Sequence, residues 1–191
     1  MPIARTLIVL SLLTTLAAPL PAAPDDRGPQ EGVGTRVVGD GIIVPGRRIG
    51  PLRLGMSIEQ ILQVMPPGYR RETFTAESII LYEWRAVGIW VSLDARTQAV
   101  RLVSAFGMGP YTTDRGVRLL HPEAKMHEVY GTETGRYNYP EERVTLIRYV
   151  PLGVQFGLVN QPGNAAVHGR IFTIGIFPPG REPPLVKTPT T

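Results

Sequence analysis

The chain has 191 residues, of which 43% are hydrophobic, so it can bury a core and is not disordered as a whole. Its net charge of +4 comes mainly from arginines spread along the chain, which argues against the clustered basic face of a nucleic-acid-binding protein. Cysteine is absent, which excludes disulfides, cysteine-based catalysis and the lipidated cysteine of a bacterial lipoprotein.

The N-terminal segment has the pattern of an export signal. Arg5 is followed by an apolar run over residues 6–16 and then by small residues and prolines up to residue 24. This order predicts a signal peptide over residues 1–23. The run is too short to cross a bilayer as a helix, which takes about 20 residues. We therefore expect a periplasmic or secreted protein with no membrane span after cleavage, and a flexible leader over residues 24–41.

The first regular elements are predicted after this leader. Residues 42–44 are expected to form a short edge strand before the turn at Pro45. Ser57 is a predicted N-cap with Gln60 at N3, which is the arrangement of a capping box. Apolar residues then recur at helical spacing until Pro66 ends the helix. A second helix is predicted with Pro122 in its first turn and Gly131 at its end.

Strand patterns follow each predicted helix. Runs of branched and aromatic residues separated by turn residues predict three strands after the first helix and three after the second. The polar segments between each helix and its first strand are predicted to be loops, and the proline-rich tail, residues 178–191, is predicted to be loosely structured. The six predicted strands are 78–85, 88–94, 99–106, 143–150, 153–159 and 170–177.

The chain also resembles itself at an offset of 65 residues, since residues 51–93 align with residues 116–158 without a gap. Conservative pairs such as Trp84 with Tyr149 and Ile89 with Val154 are what a duplicated core would retain. The sequence therefore predicts an α+β fold of two tandem repeats, each a short helical segment packed on one face of an antiparallel β-meander. The predicted units are residues 42–109 and 110–177.

Residues 52–62 read LRLGMSIEQIL, a short strand running through Gly-Met-Ser into an amphipathic helix. This segment resembles the repeat of β-lactamase-inhibitory proteins and is similar to the outer-membrane-assembly lipoproteins of the SmpA/OmlA type. The second copy departs from the motif and reads Leu120-His121-Pro122. Over residues 48–177 the resemblance implies helices on one face of an antiparallel sheet, arranged twice in tandem, and a binding function.

The sequence carries no enzyme signature. His121 and His127 are about 240° apart around a helix, so one face cannot present both to a metal ion. Ser57 follows Gly55 but lacks the second glycine of a nucleophile elbow, and helix capping accounts for it. From the sequence we assign no catalytic residue, no cofactor-binding residue and no metal ligand, and we expect a protein that is not an enzyme.

The strand alternation predicts which side chains face the helices. We expect the aliphatic set on that side to include Ile79, Leu81, Val144 and Leu146, together with Ile89, Val91, Leu93, Val154, Phe156 and Leu158. The opposite face should then carry the five candidate partner-binding residues: Tyr82, Trp84, Trp90, Tyr149 and Gln155. An uncovered sheet face is normally polar, whereas exposed aromatic residues mark interaction surfaces. The open alternatives are a face covered by the leader, the tail or a second subunit, and an inverted strand phase.

Together these features predict a secreted or periplasmic, non-enzymatic and inhibitor-like module that binds another protein through an aromatic sheet face. Nucleic acid is not an expected partner. An envelope-assembly or scaffold factor is the first alternative, because it would share the fold and act inside a stable complex. An extracytoplasmic hydrolase is the second alternative, and it would need a catalytic constellation that the sequence does not show.

Overall fold

The structure is a computed structural model that describes residues 37–183, and these belong to one compact unit. The predicted signal peptide, residues 24–36 of the predicted leader and residues 184–191 of the tail lie outside the described residues. Neither helix in the described part of the chain has the length and hydropathy of a membrane-spanning segment.

Short strands make up most of the regular structure in residues 37–183, and both helices are brief. Two 3₁₀ turns, Arg85–Val87 and Val150–Leu152, lie between strand pairs. In chain order the elements are β1 (Ile42–Val44), β2 (Arg48–Ile49), β3 (Leu52–Arg53), α1 (Ile58–Val64), β4 (Arg70–Phe74), β5 (Ile79–Trp84), β6 (Ile89–Asp94), β7 (Val100–Phe106), β8 (Thr112–Thr113), α2 (Glu123–Tyr130), β9 (Gly135–Tyr139), β10 (Val144–Tyr149), β11 (Val154–Val159) and β12 (Ile171–Ile176).

One antiparallel sheet of eight strands dominates the molecule, in the order β4-β5-β6-β7-β12-β11-β10-β9. Its two halves join where β7 pairs with β12, with Val103 opposite Ile176 and Phe106 opposite Thr173. The prediction of two tandem helix-plus-meander repeats is therefore wrong, because the fold is mainly β and its strands form one continuous sheet. A free β7 edge would expose unpaired N–H and C=O groups, and pairing with β12 satisfies them.

The two outer strands of the large sheet, β4 and β9, lie in segments that the sequence analysis predicted to be loops. Both are edge strands, and their exposed side chains include Arg71, Thr73, Arg136 and Asn138. A strand that is paired on one side and half exposed does not need an apolar alternation. The polar composition that indicated a loop is thus the composition of an edge strand.

A second, smaller sheet has the order β3-β2-β1-β8, with β1 parallel to β8. The predicted strand at residues 42–44 is present as β1, but it lies between β2 and β8 and is not an edge strand. Ile43, Ile49 and Leu52 of this sheet are fully buried and belong to the same core as the helices. The small sheet thus helps to cover the large one on the side where the helices pack.

Both helix boundaries follow from local chemistry. Ser57 caps α1: its Oγ accepts from the Gln60 N–H at 3.3 Å, and the Gln60 Oε1 accepts from the Ser57 N–H at 2.9 Å. The predicted capping box is confirmed. The α2 helix follows Pro122, which is its N-cap, and ends at Gly131, whose φ of 76° suits glycine. Both helices bury an apolar side, Ile58 and Ile61 in α1 and Met126 and Tyr130 in α2.

We call the side of the large sheet that packs on the helices the helix face, and the other side the far face. The aliphatic residues of β6 and β11 lie on the helix face, as predicted. The prediction is wrong for β5 and β10. Tyr82 pairs with Val91 and Trp84 pairs with Ile89, so Ile79 and Leu81 point to the far face; Val144 and Leu146 do the same in β10. All side chains of β5 are buried, so its sequence lacks the polar alternation that would fix the phase.

Candidate functional site

The structure divides the five predicted partner-binding residues among three places. Tyr82 and Trp84 lie on the helix face near the end of α1, and Tyr149 lies on that face near the end of α2. Trp90 and Gln155 lie on the far face, separated by β7 and β12. The prediction that all five share one uncovered sheet face is therefore wrong, because three of them are core residues.

Trp84 is held under the end of α1. Its side chain is 1% exposed, and its Nε1–H donates to the carbonyl oxygen of Pro66 at 3.1 Å. Tyr82 stacks beside it with ring centroids 6.0 Å apart. Tyr69 lies over both rings at 5.3 and 5.5 Å and remains 45% exposed. Two buried aromatic residues thus form a rigid base under a third that solvent can reach.

An apolar groove lies beside this aromatic cluster. We call it the α1 groove, and its lining includes Val37, Val64, Pro66, Pro67 and Trp84. Val37 and Val64 are 37% and 43% exposed, although large apolar side chains usually bury more of their surface. Apolar residues exposed singly are ordinary, whereas a group of them beside an exposed tyrosine has the composition of an interaction surface.

Tyr149 holds the end of α2 in a corresponding way. Its hydroxyl donates to the carbonyl oxygen of Gly131 at 3.0 Å and lies 3.2 Å from the His127 Nδ1. Tyr149 is 65 residues after Trp84, and Gly131 is 65 residues after Pro66. In both places an aromatic residue at the end of a strand donates to a carbonyl just past a helix. Trp84 and Tyr149 thus fix the ends of the two helices on the sheet.

His127 and Tyr149 also contact a group of charged residues at the end of α2. The His127 Nε2 lies 3.2 Å from Glu123 Oε1, and its Nδ1 lies 3.4 Å from Glu133 Oε2. Arg136 of β9 donates to both carboxylates, at 3.1 Å to Glu133. The residue types are those of an acid–base site, but they contact one another in a closed network. In residues 37–183 no three His, Asp or Glu side chains form a group suited to a metal ion.

The pKa values in this network follow from its geometry. Burial by itself raises the pKa of Glu123, but hydrogen bonds from Arg136 and His127 outweigh it and bring the pKa below the usual value. The pKa of Glu133 is lowered by a backbone hydrogen bond and by Arg136. Burial, with the two carboxylates nearby, raises the pKa of Tyr149 to about 12, so its hydroxyl stays a donor at neutral pH.

This network should make the free energy of unfolding depend on pH. A carboxyl whose pKa is lower in the folded than in the unfolded chain stabilises the fold above its unfolded pKa, and the contribution is lost as the pH falls through the folded value. We expect the free energy of unfolding to fall as the pH is lowered below about 5. The Glu123→Gln variant should show a shallower fall, measured by urea unfolding at several pH values. Equal slopes in the two proteins would contradict the network.

The far face carries a row of residues across six strands, and all of them except a central glycine have side chains with polar atoms. Most of these residues are buried, including Ser104 at 2% and Arg148 at 1% exposed. Gly175 lies in the middle of the row, where a Cβ would come within 2.7 Å of the Ser104 Oγ, so the neighbouring side chains close over the glycine. From β5 to β10 the row is Glu83, Trp90, Ser104, Gly175, Gln155 and Arg148.

Unpartnered polar atoms concentrate on this face. In the described part of the chain, four buried side-chain polar atoms lack a hydrogen-bond partner, and one of them, the Tyr130 hydroxyl, belongs to α2. The other three are Trp90 Nε1, Ser92 Oγ and Tyr139 Oη, all on strands of the large sheet and all on its far face. Trp90 and Ser92 lie on β6 and Tyr139 lies on β9, so four strands separate the two places. Buried polar groups are normally satisfied, so each of the two places is a candidate for binding a polar ligand.

Sequence reasoning missed Tyr69, Arg148 and Glu182. Tyr69 lies in a segment predicted to be a loop, and its aromatic side chain after two prolines was the available signal. Arg148 is a charged residue inside a predicted buried strand, which is a feature that requires a partner. Glu182 lies in the predicted loose tail, and no local pattern indicated its contacts with the sheet.

No family model and no curated protein matches the chain. Among solved structures, the chain is similar to the crystal structure of the uncharacterized protein yfeY from Escherichia coli, with 9% sequence identity and a TM-score of 0.45. The match covers 77% of this chain and 96% of that chain.

Proposed function

We propose that this protein is an exported, non-enzymatic module that binds another protein through the α1 groove. The observation that carries the proposal is the exposure of Val37, Val64 and Tyr69 around a base of buried aromatic side chains. The export component of the proposal rests on residues 1–23, which have the sequence pattern of a signal peptide.

The groove has the properties of a protein-docking surface. Its base is preorganised, because Trp84 is fixed by a hydrogen bond to Pro66 and by contact with Tyr82. A rigid aromatic surface loses little conformational entropy when a partner binds. The neighbouring edge strand β4 contributes Arg71, whose guanidinium lies 6.0 Å from the Tyr82 ring, so the apolar centre has a basic side. An apolar centre beside charged residues is the usual anatomy of a protein interface.

A charge placed in the groove should abolish partner binding without unfolding the protein. We expect Val64→Asp to reduce capture of the partner by at least tenfold, because a buried carboxylate without a counterion opposes docking. The measurement is pull-down of cross-linked partners from the envelope fraction, quantified by mass spectrometry and confirmed with the purified pair. Circular dichroism should show that Val64→Asp remains folded.

Met108→Asp is the matched control. Met108 is 67% exposed and does not line the groove, so it receives the same new charge at another apolar surface position. A partner retained by Met108→Asp and lost by Val64→Asp supports the proposal. A partner lost equally from both variants, or from neither, would overturn the assignment to the groove.

A further inference from the structure

Arg148 is a buried cation next to the last residue of β10, on the far face, with its side chain 2% exposed. Among the described residues its guanidinium makes one hydrogen bond, from Nε to the Gln155 Oε1 at 3.2 Å. A guanidinium has five N–H donors, and burying it without partners is costly. No described residue accepts a hydrogen bond from the Nη groups of Arg148, whose N–H donors suit an acceptor that takes two hydrogen bonds side by side.

Two residues frame this guanidinium. The Tyr137 ring lies against it, with its centroid 4.8 Å from the Arg148 Cζ. Glu182, in the segment after β12, brings a carboxylate oxygen to 3.7 Å from the Arg148 Nη1 and accepts from the Tyr137 hydroxyl at 3.2 Å. A separation of 3.7 Å is too long for a hydrogen bond, and the Glu182 side chain is 54% exposed. The carboxylate of Glu182 is thus near the site but does not engage it fully.

A second, independent observation comes from Tyr139. Its hydroxyl is buried without a partner on the same face of β9 as Tyr137, whose cross-strand neighbour is Leu146. Burial raises the pKa of Tyr139 and the nearby Arg148 opposes this, so the hydroxyl is a proton donor in the field of the guanidinium. The Tyr139 hydroxyl is therefore a buried donor without an acceptor, on the same face as a guanidinium whose Nη groups make no hydrogen bond to a described residue.

We propose that Arg148, with Tyr137 and Gln155, forms a recognition site for a carboxylate group, and that Glu182 is a tethered carboxylate that competes for it. A planar carboxylate matches the guanidinium fork with two parallel hydrogen bonds. The ligand is a small free carboxylate or the acidic side chain of a bound polypeptide. The site lies on the far face, so the inference does not depend on the α1 groove.

The carboxylate class follows from the charge and shape of the site. A single guanidinium next to an aromatic ring supplies one positive charge and a flat donor edge, which suits a monoanion. The chain itself already brings a carboxylate, that of Glu182, to the site. A tethered competitor lowers the apparent affinity for an added ligand by the fraction of time that it occupies the site.

The test compares Glu182→Ala with the unchanged protein in the presence of added carboxylates. The probes are sodium acetate and a short peptide with one glutamate, each titrated at constant ionic strength in a calorimeter. We expect Glu182→Ala to bind acetate or the peptide about tenfold more tightly than the unchanged protein, because the tethered competitor is gone. NMR gives a second measurement. The resonance of the Arg148 Nε–H, assigned by its loss in Arg148→Lys, should shift as the ligand binds.

Controls separate a site from general anion binding and from loss of folding. Glu128→Ala removes an exposed carboxylate of a different ion pair and should leave acetate binding as in the unchanged protein. Adding Arg148→Gln to Glu182→Ala should abolish saturable binding. If that double variant does not fold, Arg148→Lys in its place keeps the charge and should still weaken binding.

The two probes distinguish the source of the carboxylate. Saturable binding of acetate assigns the site to small carboxylates, and binding of the glutamate peptide alone assigns it to acidic side chains. The corresponding glutamine peptide should not bind in either case. An Arg148 Nε–H resonance that is unmoved by both probes, or equal affinities in Glu182→Ala and Glu128→Ala, would overturn the inference.

Discussion

Replacing Trp84 with alanine is expected to lower the free energy of unfolding by about 3–5 kcal/mol. The substitution removes a fully buried ring, its contacts with Tyr69 and Tyr82, and the donor to the Pro66 carbonyl oxygen. It therefore combines a cavity in the core with a loss of the contact that holds the end of α1. Chemical denaturation followed by circular dichroism measures the effect directly.

The two tryptophans of the chain provide a matched comparison. Trp84→Phe should lose the hydrogen bond to Pro66, worth about 0.5–1.5 kcal/mol, in addition to its change in volume. Trp90→Phe removes an Nε1–H that has no partner among the described residues. It keeps an aromatic ring beside Phe106, whose ring centroid lies 4.3 Å from that of Trp90 in the unchanged protein. Trp90→Phe should thus be the milder change. A Trp84→Ala protein as stable as the unchanged one would show that Trp84 is outside the core.

Gly153→Ala is expected to destabilise the fold by about 2–5 kcal/mol. This figure adds the cost of placing alanine in a left-handed backbone conformation to the cost of a steric clash. Gly153 ends the 3₁₀ turn before β11 with φ of 68°, a conformation that alanine adopts only with strain. An added Cβ would lie 2.2 Å from the carbonyl oxygen of Phe177 and 2.9 Å from the Gly46 Cα. These are backbone atoms of packed segments, so they cannot turn aside as a flexible side chain would.

Gly116→Ala is the control for backbone strain alone. Gly116 has φ of 82°, and a Cβ there would meet no atom within 4 Å. Its replacement should cost about 1–2 kcal/mol from the conformation only. The difference between the free energies of unfolding of the two variants, measured with urea, isolates the effect of one close approach. This is the approach of Phe177, just after β12, to Gly153 at the end of the 3₁₀ turn. Equal losses in both variants would mean that this approach is looser than the structure has it.

Local sequence patterns predicted the interior strands and the first helix well. The six predicted strands correspond to β5, β6, β7, β10, β11 and β12, with ends within one residue. The start of α1 followed from Ser57 and Gln60, because a capping box is made by residues three apart, and its end followed from Pro66. These features depend on neighbours in the chain, so the sequence contains the information that defines them.

The candidate site was predicted poorly for a specific reason. Assigning Tyr82, Trp84 and Tyr149 to an open face required the phase of β5 and β10, and both strands are buried on their two sides. A strand buried on both faces carries no polar alternation that could distinguish them. Trp90 and Gln155 were assigned to the far face because β6 and β11 have small or polar residues between their aliphatic ones.

What the sequence by itself determined is the set of short-range elements: strands, caps, turns, and the aromatic residues that follow each helix at the same offset. The tertiary structure alone decided that β7 pairs with β12, that β4 and β9 are edge strands, and that Glu182 reaches Arg148. Pairing between strands depends on backbone groups, which are the same in every residue, and on contacts between residues far apart in the chain. For this reason the one continuous sheet, and the buried cation on its far face, could be recognised only once the chain was folded.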